Sequence, residues 1–173
     1  MSPTPYTGPV ADVRGLVLSE MSMTHTEIAL TQLYLEDETA WLDAMADLLK
    51  AGSYAELDHA NLQEFLSDMA NRDRREVESR LVVLLTHVLK WVAQPDHRTR
   101  SWKSTILEQR QELARLASRG VLRNHAETML TDVYREAVER AAIEAKLTIA
   151  DFPTECEYTL ELLLSFNPNE DTV

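Results

Sequence analysis

The most apolar window of this 173-residue chain reads LVVLLTHVLKWV, from Leu81 to Val92. It is much shorter than the roughly 20 apolar residues that a membrane-spanning helix needs, and it contains His87 and Lys90. An apolar run of this length without alternation is typical of a helix that is buried on most of its sides. Pro95 predicts the end of this helix, because proline has no backbone N–H to donate. We therefore expect a core helix here rather than a membrane span.

The rest of the chain also carries helical patterns. Apolar residues recur at helical spacing on both sides of the window, and strand-like alternation is absent from the sequence. The length is that of one domain with a core large enough to fold without metals or disulfides. We therefore predict an all-α fold, a single compact helical bundle of about five to six helices over residues 23–166. Residues 1–22 and 167–173 are expected to be disordered or loosely attached tails.

Local signals predict two helix starts in the N-terminal half. Thr24 and Glu27 have the spacing of a capping box, in which each side chain accepts from the other residue's backbone N–H. Asp58 is predicted to cap the next helix, because a carboxylate there accepts backbone N–H groups that lack helical partners. Leu57 and Leu62 flank this cap with the spacing of a hydrophobic staple, which supports the same start.

A helix break is predicted in the middle of the chain. Asn71 and Arg72 interrupt the apolar pattern, and Asp73 and Glu76 after them have capping-box spacing. The long apolar helix is therefore expected to begin near Arg74 and to run to the proline that ends it.

The C-terminal half shows two further helices and a docking segment. Ser101 is predicted to cap one helix that Gly120 closes, and the next is expected to start near Asn124. A short loop and a last helix follow up to Leu164. One stripe of the helix that starts near Asn124 is mostly alanine, so neighbouring helices are expected to approach it closely. The stripe comprises Ala126, Leu130, Val133, Ala137, Ala141 and Ala145.

Charge is the extreme property of the composition. The formal net charge is −12, but residues 72–119 hold 11 of the 17 Lys and Arg and only 6 of the 29 Asp and Glu. This middle segment therefore has a net charge of +5, against −17 for the rest. The basic segment faces either an external anion, such as nucleic acid, or the protein's own acidic flanks.

One polar stripe on the apolar helix leads into a basic turn. At 100° per residue Glu76, Arg80, Val83, His87, Lys90 and Gln94 share one narrow arc. The turn that follows places basic side chains around a predicted helix start, where free backbone N–H groups and the helix dipole favour an anion. These observations predict a candidate anion or partner site. Its members are His87, Lys90, Gln94, Arg98, Arg100, Ser101 and Lys103.

Structural alternatives stand beside this site and are favoured. The internal anion would come from the acidic flanks, for example Asp58, Glu64 or Asp68. His87 is expected to be a hydrogen-bonded core histidine rather than a ligand or a catalytic base. Trp91 and Trp102 could stack on bases, but both lie on the apolar stripes of their helices, which favours a place in the core.

The sequence lacks the common signatures of other chemistries. No His-Glu-x-x-His or Cys/His spacing and no phosphate loop occurs, so no metal or cofactor is expected. Cys156 is the single cysteine, so no intrachain disulfide can form. Glu155 and Glu157 are expected to raise the pKa of its thiol, which favours a packed residue over a nucleophile. No signal peptide is recognisable, and a cytosolic location is expected.

A series of short motifs runs along the chain in one order: Leu57-Asp58, Asn61-Leu62, Glu78 to Leu81, Leu84 to His87, Leu89 to Trp91, Gln94-Pro95, Arg100 to Trp102, Thr105-Ile106, Gln109-Arg110, Phe152-Pro153, Cys156 and Tyr158 to Leu160. With these motifs, the chain from about Leu33 to Leu164 resembles the bacterial domain of unknown function 29 family. The resemblance implies a compact all-helical bacterial domain without an assigned activity. Three departures stand at Gln63–Glu64, where members often have paired acids, near Asn71 instead of a glycine, and at Glu157 instead of a proline. The first departure weakens acid–base or metal chemistry at that point.

Three functional hypotheses follow. The favoured one is a non-enzymatic protein-interaction module of the bacterial cytosol, with an unknown protein partner or a second copy of the chain. The second is a nucleic-acid or phosphate binder that uses Arg98 to Lys103. The third is an enzyme in which His87 works with a carboxylate from the helix between Asp58 and Asp68. No membrane association is expected.

Overall fold

The computed structural model describes residues 25–170, and this range contains six α-helices and no strand. The predicted all-α bundle of five to six helices is confirmed. The described chain forms two compact units, residues 25–66 and 67–170. The helices are α1 (His25–Glu36), α2 (Glu38–Ala51), α3 (His59–Ala93), α4 (Arg100–Leu116), α5 (Gly120–Ala145) and α6 (Leu160–Ser165). Three short 3-10 helices connect them at Tyr54–Glu56, Pro95–His97 and Ile149–Asp151.

The first unit packs α1, α2 and the start of α3 around Trp41. The indole is fully buried, and its ring contacts Tyr34 at a centroid distance of 4.8 Å and Phe65 at 5.8 Å. Aromatic pairs in such tilted arrangements contribute stability beyond that from the apolar area that they bury. Gly52 ends α2 with φ +76°, a left-handed conformation that glycine adopts without strain.

The predicted cap at Asp58 is confirmed. Its carboxylate accepts the Asn61 backbone N–H at 3.3 Å and the Asn61 side-chain amide at 2.6 Å. The Trp41 indole N–H donates to the same carboxylate at 3.4 Å. Leu57 is buried and Leu62 packs against the same apolar cluster, as the predicted staple requires. The cap is therefore tied to the core of this unit. The predicted capping box of Thr24 and Glu27 and the predicted tail at residues 1–22 lie outside what the structure describes.

The predicted break at Asn71 and Arg72 is wrong, because α3 is continuous from His59 to Ala93. Unlike proline, both residues have a backbone N–H that can donate within a helix. Their helix propensities are worse than that of alanine by only about 0.2–0.7 kcal/mol. The Arg74 guanidinium donates to the Asn71 side-chain oxygen at 3.2 Å, a contact one helical turn apart that supports the helix at this point. Asp73 and Glu76 therefore lie inside a helix and do not cap one.

The core of the second unit is built by α3, α4 and α5. The window from Leu81 is buried on most sides as predicted, and the alanine-rich stripe of α5 is buried along its whole length. A stripe without large side chains lets neighbouring elements approach closely. The predicted last helix is α6, and the Arg110 guanidinium on α4 donates to the Phe166 carbonyl just beyond it at 2.6 Å.

Two boundaries in this unit differ from the prediction. The N-cap of α4 is Thr99, whose hydroxyl accepts the Trp102 backbone N–H at 3.2 Å, so Ser101 lies within the first turn. Thr99 is extended, with φ −115° and ψ 159°, and this places the cap two residues before the predicted one. The second difference concerns Gly120, which does not close α4 but begins α5, with φ +73°. A left-handed glycine at this point turns the chain from one helix into the next.

Candidate functional site

Lys90 is the most deeply buried charged side chain of the predicted site. Only 3% of the residue is exposed. Its ammonium group forms an ion pair with Glu144 of α5, and it lies 4.5 Å from the ring centroid of Trp102 on α4. The long apolar window brings Lys90 into the core, because its neighbours on α3 are almost all apolar. One charge thus links three helices, and Glu144 provides the counter-charge that burial of an ammonium requires.

His87 lies one turn before Lys90 and is half-buried. Its Nδ1 is 2.9 Å from the Val83 carbonyl, and since a carbonyl can only accept, Nδ1 carries the proton. Burial lowers the pKa of His87 below its ordinary value of 6.5, and Lys90 lowers it further. The hydrogen bond to Val83 and the charge of Glu144 oppose this shift. The geometry favours a neutral imidazole, with the Nε2 lone pair on the side away from its own helix backbone.

Gln94 is the last residue of the polar stripe and binds the C-terminal end of α5. Its side-chain amide donates to the carbonyl of Ala145 at 2.9 Å. The last carbonyls of a helix lack partners within the helix, so this bond satisfies one of them. Together with the ion pair of Lys90, it fastens the C-terminal end of α5 to α3.

Arg98 is bound to its own part of the chain. Its Nε donates to the Trp91 carbonyl at 3.0 Å, and the guanidinium carbon lies 4.9 Å from the centroid of the Trp91 ring. Trp91 itself is buried, and Trp102 packs partly buried against the same core. The interpretation that both tryptophans belong to the core is confirmed. The Arg98 side chain therefore covers a core ring, a cation–π arrangement that uses much of its contact surface.

Arg100, Ser101 and Lys103 form the outer part of the predicted site, here called the basic edge. Arg100 and Ser101 are exposed and Lys103 is half-buried, all in the first turn of α4. Among residues 25–170, no Asp or Glu carboxylate lies within 4.0 Å of the Arg100 or Lys103 head group. The charges of Arg100 and Lys103 therefore have no counter-charge among the described residues, and they lie at a helix start, where the dipole favours an anion.

The structure thus places six of the seven predicted residues in two sets, and the seventh, Arg98, lies against the Trp91 ring. Lys90 and Gln94 both bind residues at the C-terminal end of α5, and His87 lies one turn before Lys90 on α3; these three residues are here called the Lys90 cluster. The basic edge forms the second set. Glu144 is the residue that sequence reasoning missed. It is one acid among 29 and is 54 positions from Lys90, so no spacing rule marks it. Asp58, which was expected among the internal anions, is bound to Trp41 and Asn61.

Arg80, in the same stripe, belongs to a separate surface network. Its guanidinium donates to Glu76 at 2.9 Å and to the Gln109 side chain of α4 at 3.3 Å. Glu112 lies 3.8 Å away on α4. Each partly exposed pair of this kind contributes little to stability. Together they join α3 to α4 and so determine which sides of the two helices face each other.

Cys156 is half-buried, and its thiol donates to the Tyr158 carbonyl at 3.5 Å. Burial raises the pKa of the thiol, while that hydrogen bond opposes the shift. The expected direction of the shift is therefore correct, but its cause is desolvation rather than the neighbouring glutamates. A thiol in this state is a poor nucleophile.

Within residues 25–170, no group of three or more His, Cys, Asp or Glu side chains is arranged to hold a metal ion. None of the described helices combines the length and the apolar character needed to cross a membrane.

The sequence profile of one protein family matches residues 33–167, described as "Domain of unknown function DUF29". The chain belongs to this family. The resemblance predicted for about Leu33 to Leu164 is confirmed. The DUF29 match begins within α1 and ends after α6, so it includes both the Lys90 cluster and the basic edge. No curated protein and no solved structure matches the chain. Membership in DUF29 assigns no activity.

Proposed function

We propose that this DUF29 protein is a non-enzymatic interaction module of the bacterial cytosol, and that its basic edge meets an acidic surface on a partner protein. The observation that carries this proposal is the division of the predicted site. His87, Lys90 and Gln94 each have a hydrogen-bond or ion-pair partner within the domain. Arg100 and Lys103 have no carboxylate partner among residues 25–170, in a protein whose net charge is −12.

The charge distribution supports a role in recognition. A cation attracts an acidic group at close range even on a molecule whose net charge is negative, and such local patches direct association and its specificity. Thr99 and Arg98 hold the turn before α4 in a defined conformation, so the edge is presented on a fixed helix start.

Reversal of the basic edge tests the proposal. The full-length protein, tagged and expressed at its native level in the source organism, is purified at low salt and its stoichiometric complexes are measured by light scattering. We expect a defined complex with wild type and its loss with the Arg100→Glu, Lys103→Glu double variant. An Arg72→Glu, Arg119→Glu variant makes the same change of charge at exposed arginines elsewhere and should retain the complex.

Two results would contradict the proposal. One is a clean monomer from wild type that recovers nothing in stoichiometric amount. The other is equal loss of the complex in both double variants, since this would make total charge rather than the basic edge responsible.

A second candidate function is binding of nucleic acid or free phosphate at the same edge. Arg100 and Lys103, which have no carboxylate partner among the described residues, favour it together with Ser101. Phosphate oxygens accept hydrogen bonds from such side chains and from the backbone N–H groups of a helix start. It predicts affinity for single- or double-stranded oligonucleotides that falls steeply with salt and is lost in the Arg100→Glu, Lys103→Glu variant. Salt-independent binding, or none at low salt, would exclude it.

A further inference from the structure

A second surface, apolar rather than basic, lies along α5. A groove of about 620 Å³ runs between α5 and the segment of residues 149–154. Tyr134 and Val138 of α5 and Phe152 of the segment are buried beneath it. A volume of this size accommodates a large apolar side chain and its flanks, since small-ligand sites measure about 300–1,000 Å³.

The groove is held open by hydrogen bonds within the second unit. The Tyr134 hydroxyl donates to the Pro153 carbonyl at 2.7 Å, and burial raises the pKa of Tyr134 to about 12, so the hydroxyl stays protonated. The Asp151 carboxylate accepts from the Thr148 backbone N–H at 2.7 Å and from its hydroxyl at 2.8 Å. Both walls are thus fixed before any partner arrives, which lowers the entropic cost of binding.

Three carboxylates belong to the groove or to the chain next to it, and one of them lines it. Glu139 lines the groove, Asp151 lies between lining residues, and Glu155 directly follows the segment, all three exposed. Within the described residues no Lys or Arg lies within 4.0 Å of these carboxylates. Arg135 is the one cation that lines the groove, and it forms an ion pair with Asp132. The rim is therefore acidic.

We infer that this acid-rimmed groove binds a basic segment of a partner protein, with one large apolar side chain over Tyr134 and Val138 and a Lys or Arg next to Glu139. Ile149 forms part of the wall and is 60% exposed, so an apolar side chain in the groove would cover it. Charge complementarity selects the class of segment, because a basic flank meets open carboxylates while an acidic flank is repelled. The inference rests on the proposed role as an interaction module but not on the basic edge.

Synthetic peptides provide the probe. A fluorescein-labelled amphipathic peptide of Leu and Lys is titrated with the full-length protein, beside a Leu and Glu peptide and a Ser and Lys peptide of equal length. We expect only the Leu and Lys peptide to bind, with amide shift changes in 15N-labelled protein at residues 134–139 and 149–154. Anisotropy should show that Ile149→Ser and Glu139→Lys each weaken binding by about tenfold, the usual effect of losing one central contact.

Two matched variants serve as controls. Ile143→Ser removes another exposed isoleucine of α5, which is 80% exposed and does not line the groove. Glu108→Lys makes the same change of charge as Glu139→Lys, at an exposed position on α4. Both should bind the Leu and Lys peptide as wild type does. All four positions are exposed, so the variants are expected to fold, which circular dichroism checks.

The outcomes separate this inference from the proposed function. Equal binding of the Leu and Glu peptide, unchanged binding in Ile149→Ser, or equal weakening in Glu108→Lys would overturn the groove. Self-association that Ile149→Ser abolishes would also overturn it, because the occupant would then be a second copy. A native complex that survives Glu139→Lys but not reversal of the basic edge would leave the proposed function standing without the groove.

Discussion

The role of Lys90 follows from its surroundings rather than from its type. A lysine beside a histidine on a helix suggests a binding site, yet here the ammonium group is buried against Glu144 and Trp102. The two partners are unequal, because the Lys90 side chain is 4% exposed while the Glu144 side chain is 47% exposed. Loss of the carboxylate therefore leaves a buried charge, whereas loss of the ammonium leaves a carboxylate that water can reach.

This asymmetry predicts different effects for two variants. Glu144→Ala should lower the free energy of unfolding by about 1–3 kcal/mol, since it leaves the ammonium without a counter-charge. Lys90→Met should cost less, because the methionine side chain fills the same space without a charge. Urea denaturation measures both, with Glu139→Ala as the control at an exposed carboxylate of α5. A larger loss in Lys90→Met than in Glu144→Ala would contradict this account.

His87 predicts a pH dependence. Its folded pKa lies below 6.5, so below that pH the unfolded chain binds more protons than the folded one. The contribution of His87 is therefore complete above about pH 6.5 and is lost as pH falls toward the folded pKa. His87→Gln should lose less stability than wild type between pH 7.5 and 5.5, measured by urea denaturation. His97→Gln, at an exposed histidine, should behave as wild type, and identical pH profiles for all three proteins would refute the prediction.

At the scale of elements, helix starts depend on backbone conformation as much as on residue type. Thr99 and Ser101 are both good caps by composition, and only the extended backbone of Thr99 places its hydroxyl on a free N–H. The same holds in α3, where Asp58 caps the helix and Asp73 lies inside it. A capping pattern thus predicts a start only where the preceding residues leave the helical conformation.

The cap of α4 can be tested with two alanine variants. Thr99→Ala should lower the free energy of unfolding by about 0.5–2 kcal/mol, because the Trp102 N–H loses its acceptor. Ser101→Ala should change it by less than about 0.5 kcal/mol, since alanine is at least as good a residue within a helical turn. Thermal and urea denaturation measure both. The reverse order would show that Ser101 is the cap.

At the scale of the whole molecule, the apolar residues divide between two clusters. Trp41 and Met45 are at the centre of the cluster in the first unit. Buried apolar residues of α3, α4 and α5 form most of the cluster in the second unit. The second depends on the small side chains of α5, where Ala137 and Ala141 are fully buried. Protein interiors are packed too densely to accept extra volume at such positions without a shift of the backbone.

Enlarging the alanine stripe should therefore destabilise the second unit. Ala141→Leu is expected to cost about 1–3 kcal/mol in free energy of unfolding, because the larger side chain must displace its neighbours. Ala114→Leu introduces the same side chain at an exposed position of α4 and should change stability by less than about 0.5 kcal/mol. Calorimetry on both variants checks the difference. Equal melting temperatures would mean that the stripe leaves free space.

Periodic features of this chain could be predicted because they depend on near neighbours. The helix through Leu81, the alanine stripe and the places of Trp91 and Trp102 all follow from 3.6-residue spacing, which a single segment reveals. The break at Asn71 was predicted wrongly because weak propensities and a chance capping pattern were given the weight of a true terminator, which only proline or glycine would carry.

The amino-acid sequence by itself determined that this protein is helical, which faces of its helices are apolar, and that a basic segment interrupts an acidic chain. Only the tertiary structure decided which charges meet. Lys90 pairs with Glu144 across 54 positions, while Arg100 and Lys103 have no carboxylate partner among the described residues. The physical reason is that helix patterns arise from interactions within one or two turns, whereas an ion pair depends on how distant segments pack.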